Sequence, residues 1–314
     1  MNAPPVLWRP SDGVVERANV TRFMRWLDEE RGVGVRDYDQ LWHWSVESLE
    51  DFWEAVWVFY DVRASPPPRA VLGERRMPGA RWFEGAELNY AEHLLRFADD
   101  ERTAIVRIRE GDEHHEEISW RKLRGAVGAF AVALRDVGVQ RGDRVVAYLP
   151  NVPEAVIAML AVTSLGAVWA ACAPDFGTQS VIDRFAQLTP KVLIATDGYR
   201  FAGRLHDRGE TVSELRAALP TVEHTLLVGS EPRPGTVWFT DLTSPAREPE
   251  FAAVPFDHPL WILFSSGTTG IPKGIVHSHG GILVEHLKSR GLCMDLQPDD
   301  RYLFFSSTSW MAWN

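Results

Sequence analysis

Apolar positions keep a helical period at the start of the chain and change to short continuous runs further along. Phe23, Trp26 and Leu27 fall on one face of a helix that opens at Asn19-Val20-Thr21 and stops at Gly32. Ser48, followed by Glu50 and Asp51, predicts the start of a second helix carrying Phe52, Val56 and Phe59. Ser65-Pro66-Pro67-Pro68 then breaks the pattern and forms a stiff connector. From about residue 100 strands and helices alternate. Strands are predicted at 103–109, 144–149, 167–173, 191–196 and 225–228, with helices at 119–136 (ended by Gly138), 153–165, 178–188 and 211–219. The Pro-rich stretch 231–259 reads as a loop with at most one short strand, 237–240. An apolar strand at 260–264, a Gly/Ser/Thr loop, a short strand at 275–277, a helix from about Gly281 and a last strand at 302–305 complete the series. Such alternation implies α/β architecture, a mostly parallel sheet flanked by helices.

Composition narrows the class. The chain has 314 residues, and 33 Lys and Arg against 43 Asp and Glu give a net charge of −10, which argues against a nucleic-acid partner. Two cysteines, Cys172 and Cys293, cannot build a disulfide framework and point to a reducing cytoplasm. No basic-then-apolar leader is visible after Met1, so no signal peptide is expected. The uncharged stretch 155–174 mimics a membrane span, but Thr163, Ser164 and Gly166 interrupt it, and a core helix followed by a buried strand explains it better. Six of the 13 tryptophans (Trp8, Trp26, Trp42, Trp44, Trp53, Trp57) lie in the first 60 residues, where the plain reading is packing of a helical cap onto the main body. Residues 110–117 hold five carboxylates with His114 and His115; a solvated hairpin tip fits them better than a metal site.

Only four of the 33 basic residues are lysines (Lys122, Lys191, Lys273, Lys288), and Lys273 stands in the most unusual segment. Ser265-Ser266-Gly267-Thr268-Thr269-Gly270-Ile271-Pro272-Lys273-Gly274 follows a buried strand and packs four hydroxyls, three glycines and one lysine into ten residues. Glycines let backbone amides turn toward an anion, hydroxyls add donors, and a lysine supplies a mobile point charge suited to phosphate. Each charge-assisted hydrogen bond to phosphate is worth on the order of 1.5–3 kcal/mol. A flexible Gly/Ser linker is the bland alternative; the apolar strands on both sides speak against it. The loop is neither a Walker motif, since Gly274 follows Lys273, nor a dinucleotide fingerprint, since Gly267 and Gly270 lack that spacing.

This loop resembles the signature of the adenylate-forming acyl-CoA synthetase superfamily. Trp42-His43-Trp44-Ser45-Val46 and Leu88-Asn89-Tyr90-Ala91-Glu92 look like the N-terminal region shared by its short-chain members. Pro174-Asp175-Phe176-Gly177, Asp183-Arg184-Phe185, Asp197-Gly198-Tyr199, Ile275-Val276-His277-Ser278-His279 and Trp310-Met311-Ala312-Trp313-Asn314 resemble acetoacetyl-CoA synthetases in particular. The resemblance implies a helical cap over 1–95 and the first part of an adenylation domain over 96–314. It implies ATP, Mg2+ and CoA as co-substrates and acetoacetate as the acid, joined through an acyl-AMP. Ser265, Ser266, Gly267, Thr268, Thr269, Gly270, Lys273 and Gly274 would hold the ATP phosphates, and Lys273 would offset charge on the leaving pyrophosphate. Trp310 would border the acyl group. Arg200 and Arg204 lie in a segment resembling one that contacts CoA phosphates, with ordinary surface arginines as the equal alternative.

Ser309 and Ala312 depart from the family pattern of Gly and Met, which leaves another short-chain acid open. His277 and His279 would share a strand face, but with no third ligand nearby no metal site is expected. The adenine, ribose and C-terminal catalytic motifs of the superfamily do not occur, which predicts a piece of a longer enzyme not competent alone. A non-catalytic nucleotide- or partner-binding protein is the rival reading; a dinucleotide oxidoreductase lacks its glycine fingerprint.

Overall fold

Amphipathic spacing at the start of the chain becomes a run of helices: α1 (Asp12–Arg17), α2 (Asn19–Arg31), α3 (Tyr38–Glu47) and α4 (Leu49–Phe59). The computed structural model describes residues 5–97, 100–229, 234–265 and 270–314. It divides into two compact units: Met1–Arg63 with Pro68–Gly85 and Gly281–Leu303, and Ala64–Pro67 with Ala86–Gly280 and Phe304–Asn314.

In the first unit the helices close over Phe23, Leu27, Leu41, Phe52, Val56 and Leu292. Aromatic edges meet faces here: the Phe23 ring lies 5.1 Å from Phe59 and 6.4 Å from Phe52, an arrangement that adds to simple area burial. Trp26, Trp44 and Trp53 pack against this core, and Trp57 stacks on Phe83. Trp8 and Trp42 do not follow the packing expectation and are exposed. The Asn19 amide donates to the carbonyls of Gly291 (3.2 Å) and Leu296 (3.1 Å), fixing the π-helical turn Leu287–Cys293 and the residues after it against α2. A short antiparallel pair, β1 (Ala70–Leu72) and β2 (Trp82–Glu84), completes the unit.

The second unit runs through β3 (Glu87–Leu88), α5 (Tyr90–Leu95), the hairpin β4 (Thr103–Arg107) and β5 (Glu116–Ser119), α6 (Trp120–Asp136), β6 (Arg144–Tyr148), α7 (Pro153–Ser164), β7 (Val168–Cys172), α8 (Thr178–Phe185) and β8 (Val192–Thr196). A second hairpin, β9 (Gly198–Phe201) and β10 (Arg204–Asp207), leads to α9 (Gly209–Ala218), β11 (His224–Val228), β12 (Val237–Trp238), β13 (Val254–Pro255), β14 (Pro259–Ser265) and β15 (Lys273–Ser278); α10 (His279–His286) follows, with its residues from Gly281 onward counted in the first unit. The sheet order is β12-β11-β8-β6-β7-β14-β15. All neighbours are parallel except β14 and β15, so the sheet is mixed with a parallel majority. β6, β7 and β8 are apolar and buried along almost their whole length, as strands covered on both faces must be. Trp169, Trp261 and Tyr148 are the largest side chains sealed in this core.

Residues 155–174 form most of α7 and all of β7, and no described helix is long and apolar enough to cross a membrane. Three expectations fail. Residues 231–259 hold two short strands, β12 and β13, where at most one was expected. Residues 302–305 do not form a strand and pair with none of the described strands. His279 opens α10 instead of continuing the strand, so it does not share a strand face with His277.

Candidate functional site

β6 has β7 on one side and β8 on the other, so chain direction across the sheet reverses at β6. In open parallel sheets the crevice beyond the carboxyl ends of strands at such a reversal is where ligands bind. Three structures gather at those ends.

The first is the tip of the β14–β15 hairpin. Ser265 and Lys273 are the last opposed pair of the ladder, at the carboxyl end of β14, with seven residues of sequence between them. Ser266, Gly267, Thr268 and Thr269 lie outside the described residues. Gly270, with φ +146°, leads into Ile271-Pro272, and the Pro272 carbonyl accepts from Gln187 Nε2 at 3.0 Å. Lys273 and Gly274 open β15, with Lys273 exposed. The pairing therefore brings Ser265 and Lys273 together across the base of the loop.

The second is the closing segment. The Thr308 hydroxyl donates to the Leu149 carbonyl (2.6 Å), the Ala173 N–H donates to Ser309 Oγ (2.5 Å), and Trp313 Nε1 donates to Asn151 Oδ1 (3.0 Å). These bonds lay residues 308–313 over the carboxyl ends of β6 and β7, with Trp310 exposed between them. Sequence reasoning named Trp310 but not Thr308 or Asn151; lone hydroxyl and amide residues give no periodic signal. Ser309, noted only as a departure from the family pattern, turns out to be a structural tie.

The third is a cleft of about 800 Å³ between the β4–β5 and β9–β10 hairpins and the ends of β6, β8 and β11. Arg200 lines it and Arg204 does not, so the structure separates the two arginines that the sequence grouped. Arg107 and Glu154, which no motif marked, also line it.

His277 and His279 stand toward the amino end of β14, where Pro259 pairs with Ser278, away from these carboxyl ends, and Cys293 belongs to the first unit. His277 Nδ1 accepts from Trp261 Nε1 at 3.0 Å, and partial burial lowers its pKa. His279 is fully buried, its Nδ1 accepts from the Tyr90 N–H at 3.2 Å, and burial pushes its pKa down to about 3. Burial pushes the Cys172 thiol up to about 12, which leaves it a core residue without thiolate character. Cys293 is exposed at the end of its π-helical turn.

Residues 96–313 match the family model described as AMP-binding enzyme, and residues 38–94 match acetyl-coenzyme A synthetase N-terminus. The chain belongs to the AMP-binding enzymes. Within that class it is similar to acetoacetyl-CoA synthetases: 40% identical to that of Rhizobium meliloti (strain 1021) over 100% of this chain and 49% of the relative, and 38% identical to that of Rattus norvegicus over 98% and 48%. The solved acetoacetyl-CoA synthetase from Streptomyces lividans superposes with a TM-score of 0.96 at 49% identity, covering 99% of this chain and 49% of that one. The chain thus spans about half the length of the relatives it matches.

Proposed function

We propose that this chain carries the ATP-phosphate and acyl side of an acid–thiol ligase that joins acetoacetate to CoA. The observation that carries the reading is the loop closed by Ser265 and Lys273 at the carboxyl end of β14, in a chain whose relatives are named acetoacetyl-CoA synthetases. A carboxylate oxygen of the acid attacks the α-phosphorus of ATP, the bond to the β-phosphate oxygen breaks, and pyrophosphate leaves. The CoA sulfur then attacks the acyl carbon, and AMP departs with the carboxyl oxygen. Ser265, Ser266, Gly267, Thr268, Thr269, Gly270 and Gly274 line the phosphate path, and Lys273 offsets the charge that grows on pyrophosphate. Trp310 bounds the acyl group, and Arg200, with Arg204 on the opposed strand, meets CoA phosphate. Mg2+ would arrive on the ATP phosphates: among the described residues no group of three His, Cys, Asp or Glu side chains converges to hold a metal ion. Two cysteines without a disulfide favour the cytoplasm as its place.

The test is acetoacetate-dependent exchange of labelled pyrophosphate into ATP, measured on the chain and, in parallel, on the same sequence within a full-length ligase. Lys273→Ala should slow exchange about 100-fold or more in whichever of these turns over. Unchanged exchange by the variant would sink the assigned role. Calorimetric binding of ATP to this chain without exchange would instead favour a nucleotide-binding protein that retains the loop.

A further inference from the structure

Helix α8 and the 3-10 turn Ala186–Leu188 that follows it reach both arms of the β14–β15 hairpin. Val181, Phe185 and Leu188 bury one side of this segment in the core of the second unit, and Phe176 and Phe264 pack against the same cluster. Arg184 and Gln187, three residues apart, are neighbours on the remaining surface. Arg184 Nη1 donates to the carbonyl oxygen and to Oγ of Ser180, both at 2.6 Å, which fixes the guanidinium. Its Cζ lies 4.9 Å from the Phe176 ring and 6.0 Å from the Phe264 ring, within cation–π range of both. Phe264 immediately precedes Ser265.

Gln187 reaches the other arm. Its Nε2 carries two hydrogens, and it donates to the Asp183 carbonyl at 2.6 Å and to the Pro272 carbonyl at 3.0 Å. Pro272 immediately precedes Lys273. One core-anchored segment therefore holds the residue before Ser265 and the residue before Lys273. A hold matters at this place. Ser265 and Lys273 are the terminal pair of their ladder, and β15 is the outermost strand of the seven-stranded sheet, so the pair has ladder support on one side only. Such ends open locally at little cost unless something outside the ladder ties them.

We propose that Arg184 and Gln187 are positioning residues for the phosphate chemistry: they fix Phe264 and Pro272, so that Ser265 and Lys273 keep the spacing that departure of pyrophosphate requires. The inference rests on the adenylation reading above and gives these two side chains a role that needs no contact with a ligand.

The hold is read first without turnover. Trypsin cuts after lysine, and the Lys273–Gly274 bond lies in the ladder, so its cleavage in the 314-residue chain tracks opening of that end. Gln187→Glu keeps the shape of the side chain but cannot donate, and Arg184→Met keeps length without charge. Each should speed this cleavage about three- to tenfold, with other sites and thermal unfolding unchanged. Arg184→Lys retains a cation for the two rings and should stay near the parent rate. Within a full-length ligase, Q187E and R184M should slow acetoacetate-dependent pyrophosphate exchange about tenfold or more. Thioester formation from supplied acetoacetyl-AMP releases no pyrophosphate and should not change; a general structural defect would slow both. Parent-like cleavage in folded Q187E and R184M overturns the hold, and faster cleavage with unchanged exchange overturns its part in the chemistry. If Lys273→Ala also leaves exchange unchanged, the adenylation reading of the loop has failed, and cleavage alone decides the hold.

Discussion

A methyl group on Gly128 would overlap the carbonyl oxygen of Arg247 and crowd the backbone of Glu248 and Pro249, so α6 can lie against that strand of loop only with a hydrogen there. Gly128→Ala should cost about 2–3 kcal/mol, read as a lowered urea midpoint. At Gly125, one turn earlier, the neighbour is only the methyl of Ala246, and the same substitution should cost less. His279 sets a different limit. Burial, with help from the charges of His258 and Arg141, holds its pKa near 3 against 6.5 in an unfolded chain. Between those values the unfolded state binds a proton that the folded state refuses. Stability from this group is therefore complete above pH 6.5 and falls as pH drops, by up to about 1.4 kcal/mol per pH unit. His279→Asn keeps an acceptor for the Tyr90 N–H and removes the titration. Urea unfolding from pH 7 to pH 4 should show a shallower loss in the variant; equal slopes would refute the assignment.

At the scale of elements, Asn89 ties three segments together. Its Oδ1 accepts from the Ala91 and Glu92 N–H groups and caps α5, while its Nδ2 donates to the carbonyls of Thr163, Ser164 and Ala252. Asn89→Ala removes the cap and three amide donations, while the Thr163 and Ser164 carbonyls keep the Gly166 and Ala252 N–H groups, so the loss should be about 1–3 kcal/mol in equilibrium unfolding. Elements with a strong internal pattern were legible in the sequence: α2, α6, α7 and β6 to β8 stand where apolar periodicity puts them. The hairpin β9–β10 was not. Its two-residue turn puts both Ala202 (φ +51°) and Gly203 (φ +76°) in the left-handed region, and Ala at the first place hides the usual Asn-Gly or Asp-Gly signal. α3 was missed for a related reason: only Leu41 is buried along it, so no apolar stripe marks it, although Asp37 caps it by accepting from the Gln40 N–H. The candidate site divides the same way. A dense local motif marked the loop between Ser265 and Lys273, whereas Thr308 and Asn151 matter through partners far away in sequence.

For the whole molecule, apolar exposure is the feature with the widest effect. Phe305 is 99% exposed and Trp310 65% exposed, and Val276 on the edge strand β15 is open to solvent as well. Side chains of this kind favour self-association unless something covers them. The 314-residue chain should therefore show concentration-dependent association by sedimentation velocity, and Phe305→Glu with Val276→Lys should reduce it. Monomeric behaviour of the parent chain at every concentration would contradict this.

The antiparallel pairing of β14 with β15 also governs where a charge stands. Lys273, Ile275 and His277 alternate with Gly274, Val276 and Ser278, so a slip of one residue would turn every member of each set through the sheet. Lys273 would then face away, and the Trp261–His277 hydrogen bond would be lost with it. The length of the loop between Ser265 and Lys273 is thus a ruler: adding or deleting one residue there changes the address of the lysine without altering a single functional side chain.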